Sequence, residues 1–132
     1  MEYGQDESGN KFTKLNGHFH SYDDKPALIL SIGDQYWYIG GVIHRDNDLP
    51  AVIGIEGGKW WYKYGLRHRD NGLPAIIGIN GKKWWYKNGI CDRDNDLPAL
   101  VWPCGYAEWW INGVYIKSYN DYKPMMKLAR NF

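Results

Sequence analysis

Long apolar runs, cysteine and net charge are all scarce in this sequence. No apolar stretch approaches the ~18 residues of a membrane-spanning helix, and Met1 to Lys11 lacks the basic and apolar regions of a secretory signal. A soluble, cytoplasmic protein with no transmembrane segment is therefore expected. Sixteen Lys and Arg against fifteen Asp and Glu leave a net charge of +1, so the long-range field that draws proteins onto DNA or anionic bilayers is missing. Nucleic acid is not an expected partner. No nucleophile elbow, phosphate loop, zinc spacing or paired carboxylate stands out, so neither an enzyme nor a cofactor is expected. Aromatic residues, by contrast, make up 17% of the 132 residues, with eight Trp, eleven Tyr and sixteen Gly. That mixture belongs to one small β-rich domain and not to a disordered chain.

The residues repeat. Pro-Ala recurs at Pro26, Pro50, Pro74 and Pro98, Trp at Trp37, Trp61, Trp85 and Trp109, and Gly at Gly17, Gly41, Gly65, Gly89 and Gly113, always 24 apart. Roughly four and a half copies run from Phe12 to about Lys117. Within one copy, Ala75 to Ile79 and Lys82 to Lys87 flank Asn80-Gly81, two β-prone runs around a type I′ turn signal. A second pair, Asn88-Gly89, ends the return strand, and Asp92 to Asp96 leads into the next copy as a connection. An even number of strands per copy keeps successive copies parallel, so two main strands are expected. The fold class is all-β, an elongated antiparallel meander of 24-residue hairpin repeats advancing about 10 Å each. Residues 1–11 read as a flexible N-terminal segment, 12–117 as the repeat domain and 118–132 as a C-terminal capping segment with a short helix around Pro124, Met125 and Leu128.

A two-residue turn at Asn80-Gly81 pairs Ile79 with Lys82, Ile77 with Trp84 and Ile76 with Trp85. Alternation then assigns Ala75, Ile77, Ile79, Trp84 and Tyr86 to an apolar core face. A single sheet cannot bury such a face alone, so curling, a terminal helix or a homodimer would have to cover it. The other face carries Lys83, Trp85 and Lys87, echoed by Lys59, Trp61 and Lys63, opposite the bare backbone of Gly54 and Gly78. This central strip reads either as packing, with glycine seating a large ring, or as a binding surface of aromatic anchors among lysines.

His20, His44 and His68 lie on the ladder about 10 Å apart, too far to share one metal ion, and read as side chains holding loop backbone. No metal site is expected. Arg45, Arg69 and Arg93, each followed by Asp, suggest an Arg-to-Asp ladder between copies, with anion binding as the alternative use of His68 and Arg69. Cys91 and Cys104 fall at opposite sheet edges, beyond the ~7 Å reach of a disulfide, and should be free thiols.

The pattern Trp-Tyr, Asn-Gly, His-Arg and Pro-Ala, at Trp61-Tyr62, Gly65 and His68 and again at Trp85-Tyr86 and Asn88-Gly89, resembles MORN repeats. The closest form is the variant found in bacterial antitoxin-like proteins, giant viruses and phages. The resemblance spans residues 12–117; the doubled Trp and Asp92 at the third His position depart from it. It implies a single-layer sheet of hairpins that binds partners without chemistry of its own. The expected function is a protein-binding module, such as an inhibitor neutralising a toxin or host protein in the host cytoplasm. Sequestration of a small anionic or nucleotide-like ligand over Gly54 and Gly78, or a structural virion component, are the alternatives.

Overall fold

The computed structural model describes residues 1–124. Among them are 18 short strands and no helix. The expected helix of the capping segment falls mainly on residues 125–132, outside the described part of the chain. At the N-terminus, β1 (Glu2–Gln5) pairs residue by residue with β2 (Lys11–Leu15), and β2 also pairs with β3 (His18–Phe19). Residues 1–11 are thus not a loose segment: four backbone pairs fasten them to the sheet as its first strand.

Each following copy is built from two hairpins in succession. In the first, β4 (Leu28–Ile29) pairs with β5 (Gln35–Tyr36), and β6 (Tyr38–Ile39) pairs with β7 (Val42–Ile43). The next holds β8 (Val52–Ile53) with β9 (Lys59–Trp60), then β10 (Tyr62–Lys63) with β11 (Leu66–Arg67). The third holds β12 (Ile76–Ile77) with β13 (Lys83–Trp84), then β14 (Tyr86–Lys87) with β15 (Ile90–Cys91). In the last, β16 (Leu100–Val101) pairs with β17 (Ala107–Ile111), and β17 continues across a bulge at Trp109/Trp110 to pair with β18 (Val114–Tyr119). The first hairpins join edge to edge into one open antiparallel sheet in chain order, and the second hairpins form separate two-stranded ribbons beside it. The two main strands per copy are as the sequence predicts. The stretch after each second Gly, expected to be a connection, is instead the return strand of a second hairpin.

That second hairpin owns the type I′ turn. Asn88 and Gly89 both take positive φ, 48° and 84°, as a two-residue I′ turn requires. Around Asn80-Gly81 the arrangement differs: the Gly78 carbonyl accepts the Gly81 N–H at 3.0 Å and the Gly78 N–H donates to Lys82 O at 2.8 Å. Only Gly81 is left-handed, at φ 85°. This is the three-residue loop in which a type I turn ends in a left-handed Gly bulge. The bulge adds one residue, so Ile77 pairs with Lys83 and Ile76 with Trp84, one position away from the register expected for a two-residue turn. Because side chains alternate with period two, this single step exchanges the faces.

Tryptophan burial shows the exchange. Trp37, Trp61 and Trp85 are buried, at 4%, 6% and 8% exposure, whereas Trp60 and Trp84 are half-buried. Ile55 and Ile79, assigned to the core face by the expected register, sit on loop tips at 66% and 65% exposure. The core is a thin file along the junction between the two hairpins of each copy: Ala27, Ala51, Ala75 and Ala99 are fully covered beside the buried tryptophans, with Val52, Leu100 and Pro98 completing it. Alanine is needed there because the neighbouring indole leaves no room for a larger side chain.

A β-carbon on Gly81 would approach Pro103 Cγ at 3.0 Å as well as forcing a left-handed φ on a branched residue. Gly81→Val should therefore cost more than about 1 kcal/mol, read as a lowered melting temperature by circular dichroism.

Candidate functional site

Each buried Trp occupies the step between the hairpins. Trp85 N–H donates to Ala99 O at 2.8 Å, and its own carbonyl accepts the Asp92 N–H at 3.2 Å. The indole lies back on the preceding loop: Nε1 of Trp37, Trp61, Trp85 and Trp109 donates to the carbonyl of Asp24, Asp48, Gly72 and Asp96, at 2.8 to 3.1 Å. A guanidinium covers the ring. Arg45, Arg69 and Arg93 place Cζ 3.8, 3.8 and 3.7 Å from the centroids of Trp37, Trp61 and Trp85, and Nη1 of each donates to the carbonyl of Pro50, Pro74 or Pro98. Such cation–π contacts stabilise by roughly 0.5 to 2 kcal/mol when shielded from water.

The Arg-to-Asp ladder between copies exists. Arg45 grips Asp24 through Nε and Nη2 at 3.0 and 3.2 Å, and Arg69 grips Asp48 in the same two-pronged way at 2.9 and 3.3 Å. The partner is the Asp of the preceding copy, 21 residues back, and the Arg45 guanidinium holds the Asp24 carboxyl below the usual carboxylate range.

The histidines hold loop backbone, as their spacing predicts. Nδ1 of His20, His44 and His68 accepts the N–H of Gly40, Tyr64 and Asn88, the first turn residue of the following copy. Nε2 of His44 and His68 contacts Asp46 and Asp70 at 2.8 and 2.7 Å; with Nδ1 accepting, the proton sits on Nε2 and donates to the carboxylate. His44 is 1% exposed and stacks on Tyr64 at 4.0 Å. Asp92 fills the same role with its carboxylate, accepting the Asn112 N–H at 3.3 Å.

The expected strip of Trp61, Trp85 and lysines is not assembled. Trp61 and Trp85 are inside the interlock, and the lysines separate. Lys63 Nζ binds Asp70 at 2.9 Å, which draws the Asp70 carboxyl below its ordinary range and lifts Lys63 above its own. Lys87 pairs with Asp94 and with Asp92. Lys59 and Lys83 stand exposed on the main sheet, on the face shared with Ile53, Ile77 and Val101. Gly54 and Gly78 begin the hairpin loops, donating to Gly58 O and Lys82 O. His68 and Arg69 are committed to Asn88 and Asp48 as described.

An aromatic surface does exist, built from the other member of each Trp pair. Tyr36, Trp60 and Trp84 share a face of the main sheet with Leu28, Val52, Ile76 and Leu100. Phe19 stacks on Tyr38 at 5.2 Å and Tyr38 on Tyr36 at 6.5 Å; farther along, Trp84 meets Tyr86 at 6.2 Å and Trp110 at 6.5 Å, and Trp110 meets Tyr115 at 5.7 Å. Burial lifts the Tyr38 and Tyr86 hydroxyls above their ordinary pKa. Arg67 links Tyr62 to the second stretch, donating to Tyr62 Oη at 3.3 Å with its guanidinium 5.4 Å from the Tyr86 ring, and Lys14 and Lys82 lie over Phe12 and Trp84. The signal was in the sequence, since three successive copies carry two aromatics at this alternation, Tyr36 and Tyr38, Trp60 and Tyr62, Trp84 and Tyr86; the register hid which ones faced out.

Cys91 and Cys104 are both free thiols, Cys91 buried and Cys104 exposed. Burial pushes the Cys91 thiol up to about 12.

No protein-family model, curated protein or solved structure matches the chain.

Two outcomes follow from this geometry. Trp85→Ala should lose roughly 3 to 5 kcal/mol, because it removes a buried ring together with its carbonyl and guanidinium partners. Trp84→Ala should lose clearly less; urea unfolding followed by circular dichroism reads both. A thiol reagent at pH 8 should label Cys104 within the mixing time and leave Cys91 protected until the protein is unfolded, counted by intact mass.

Proposed function

We propose that the protein is a non-enzymatic protein-binding repeat module whose contact surface is the half-exposed aromatic band through Tyr36, Tyr38, Trp60, Tyr62, Trp84, Tyr86 and Trp110. The band carries the reading: half-exposed aromatic rings at successive positions, packed in two groups and bordered by Lys14, Arg67 and Lys82, on one side of an open single-layer sheet. Interfaces enrich these residue types, and rings already held by their neighbours lose little entropy on contact. The recurring His, Arg and Asp side chains favour the same view, because they are consumed in bonds between copies and are not gathered at a single reactive centre. The resemblance to MORN variants of viruses, phages and antitoxin-like proteins adds an inhibitor of a host or toxin protein, acting in the cytoplasm, as the role to test first. No helix of the described residues is long and apolar enough to cross a membrane.

Sequestration of a small anionic or nucleotide-like ligand is favoured by one observation, a cleft of about 390 Å³ bordered by Arg45, Trp61, Lys63, His68 and Arg69. The paired state of Lys63 and Arg69 weighs against it.

Affinity capture from the native host with the tagged protein separates these readings. One stoichiometric protein should be retained, and Trp60→Ala and Trp84→Ala should each weaken its binding by about 2 kcal/mol or more, by calorimetry on variants whose circular dichroism is unchanged. Ile79→Ala, on a loop tip off the band, should bind as the parent does. A copurifying ligand absorbing in the ultraviolet would favour sequestration, and incorporation into particles would favour a structural virion component.

A further inference from the structure

The ladder of arginines is broken at one step, and the break is in the partner and not in the arginine. Arg45 and Arg69 present the same fork, Nε and Nη2, to the carboxylate of Asp24 and Asp48. The residue 21 positions before Arg93 is Gly72. Although Asp92 stands where the other copies have His, the contacts of the arginine and the indole are kept: Arg93 lies 3.7 Å over Trp85, its Nη1 donates to Pro98 O at 3.0 Å, and Trp85 Nε1 donates to Gly72 O at 2.8 Å. Gly72 keeps the left-handed backbone of its counterparts, with φ 69° against 55° and 56° for Asp24 and Asp48. A β-carbon there would meet nothing within 4 Å. The side chain is missing from a setting that has room for it.

We propose that Arg93 is a docking point for one carboxylate that none of the described residues supplies. The fork is held in place by stacking and by the Pro98 carbonyl, so a ligand need not order it, and a planar two-oxygen acceptor matches its geometry as Asp48 matches Arg69. Burial draws the Arg93 guanidinium below the usual arginine range, and among the described residues no carboxylate is bonded to it. The fork opens into a cleft of about 310 Å³ between the loops at Asp70 and Asp94. Lys63 pairs with Asp70, and Lys87 is shared between Asp92 and Asp94, so two lysines offset three acidic neighbours and the attraction of the site lies in the fork's geometry and not in a positive field. The space exceeds what a bare carboxylate fills and accommodates an Asp or Glu side chain or a small organic acid. The cleft is bordered by Trp85 and also by Tyr86 of the aromatic band, but the assignment rests on the Arg93 fork and stands independently of the proposed function.

The test is a titration of the full chain, reading the side-chain Nε–H resonances of Arg45, Arg69 and Arg93 by nuclear magnetic resonance. Sodium acetate should shift the Arg93 signal saturably and leave those of Arg45 and Arg69 in place. Gly72→Asp should abolish the response by restoring the internal pair, and should raise the melting temperature by about 2 to 4 °C. Arg93→Lys, which keeps the charge and loses the fork, should bind acetate at least tenfold more weakly, followed on the backbone N–H of residue 93. A capped tetraglutamate peptide binding at least tenfold tighter than acetate identifies an acidic protein segment as the source; equal affinity identifies a free small acid. Absence of saturation, an equal shift at Arg69 and Arg93, or a response that survives Gly72→Asp overturns the assignment.

Discussion

The seating of one indole on the preceding loop is the constraint from which the rest of the architecture follows. A single-layer sheet of two-residue strands has too little apolar surface to stand on burial alone. Each buried Trp compensates by joining three segments: a carbonyl of the loop before it, the Ala strand beside it and the guanidinium that follows it. Remove the ring, and the loop carbonyl, the guanidinium and the fully covered alanine all lose their partner together. That is why the same positions are Trp, Arg and Ala in copy after copy, while the strand residues between them vary.

One backbone position serves two of these contacts. The residue at Asp24 and Asp48 offers its carbonyl to the indole and its carboxylate to the guanidinium stacked on that same indole. Its left-handed backbone makes this geometry available, since it turns carbonyl and side chain toward the same neighbouring copy. Gly72 shows the two duties to be separable, with the carbonyl bond intact and the carboxylate absent.

Much of this architecture was legible in the sequence, because a strict 24-residue period turns any local signal into a repeated one. The main sheet with two strands per copy, the histidines on loop backbone, the Arg-to-Asp links and the unpaired thiols all follow from spacing. The faces did not, and the reason is local. Asn-Gly occurs twice per copy in the clearest unit, and the dipeptide does not reveal whether both residues or only the glycine will be left-handed. At Asn88-Gly89 both are; at Asn80-Gly81 the Asn80 side-chain Oδ1 instead accepts the Lys82 N–H, and a bulge results. One extra residue in that loop moved Trp85 inside and Trp84 out, so the aromatic face expected from the sequence is displaced by one position. The ordering of residues 1–11 escaped notice for another reason: their polar composition hides a strand that is held by backbone pairing and needs few apolar side chains.

Most side-chain links between copies run one way, the arginine Nη1 bonds to the Pro carbonyl of the next copy being the exception. The earlier copy supplies the acceptors, namely the His20, His44 and His68 Nδ1 atoms, the Asp24 and Asp48 carboxylates and the loop carbonyls, while the later copy supplies the amide, indole and guanidinium donors. A chain leaving the ribosome presents its N-terminal copies first. Every new copy therefore emerges next to acceptors already in place, while its own Trp N–H and Arg Nη1 are completed by the Ala and Pro carbonyls of the copy after it. The direction of most of these side-chain bonds thus matches the direction of synthesis, each copy receiving its acceptors from the one made before it.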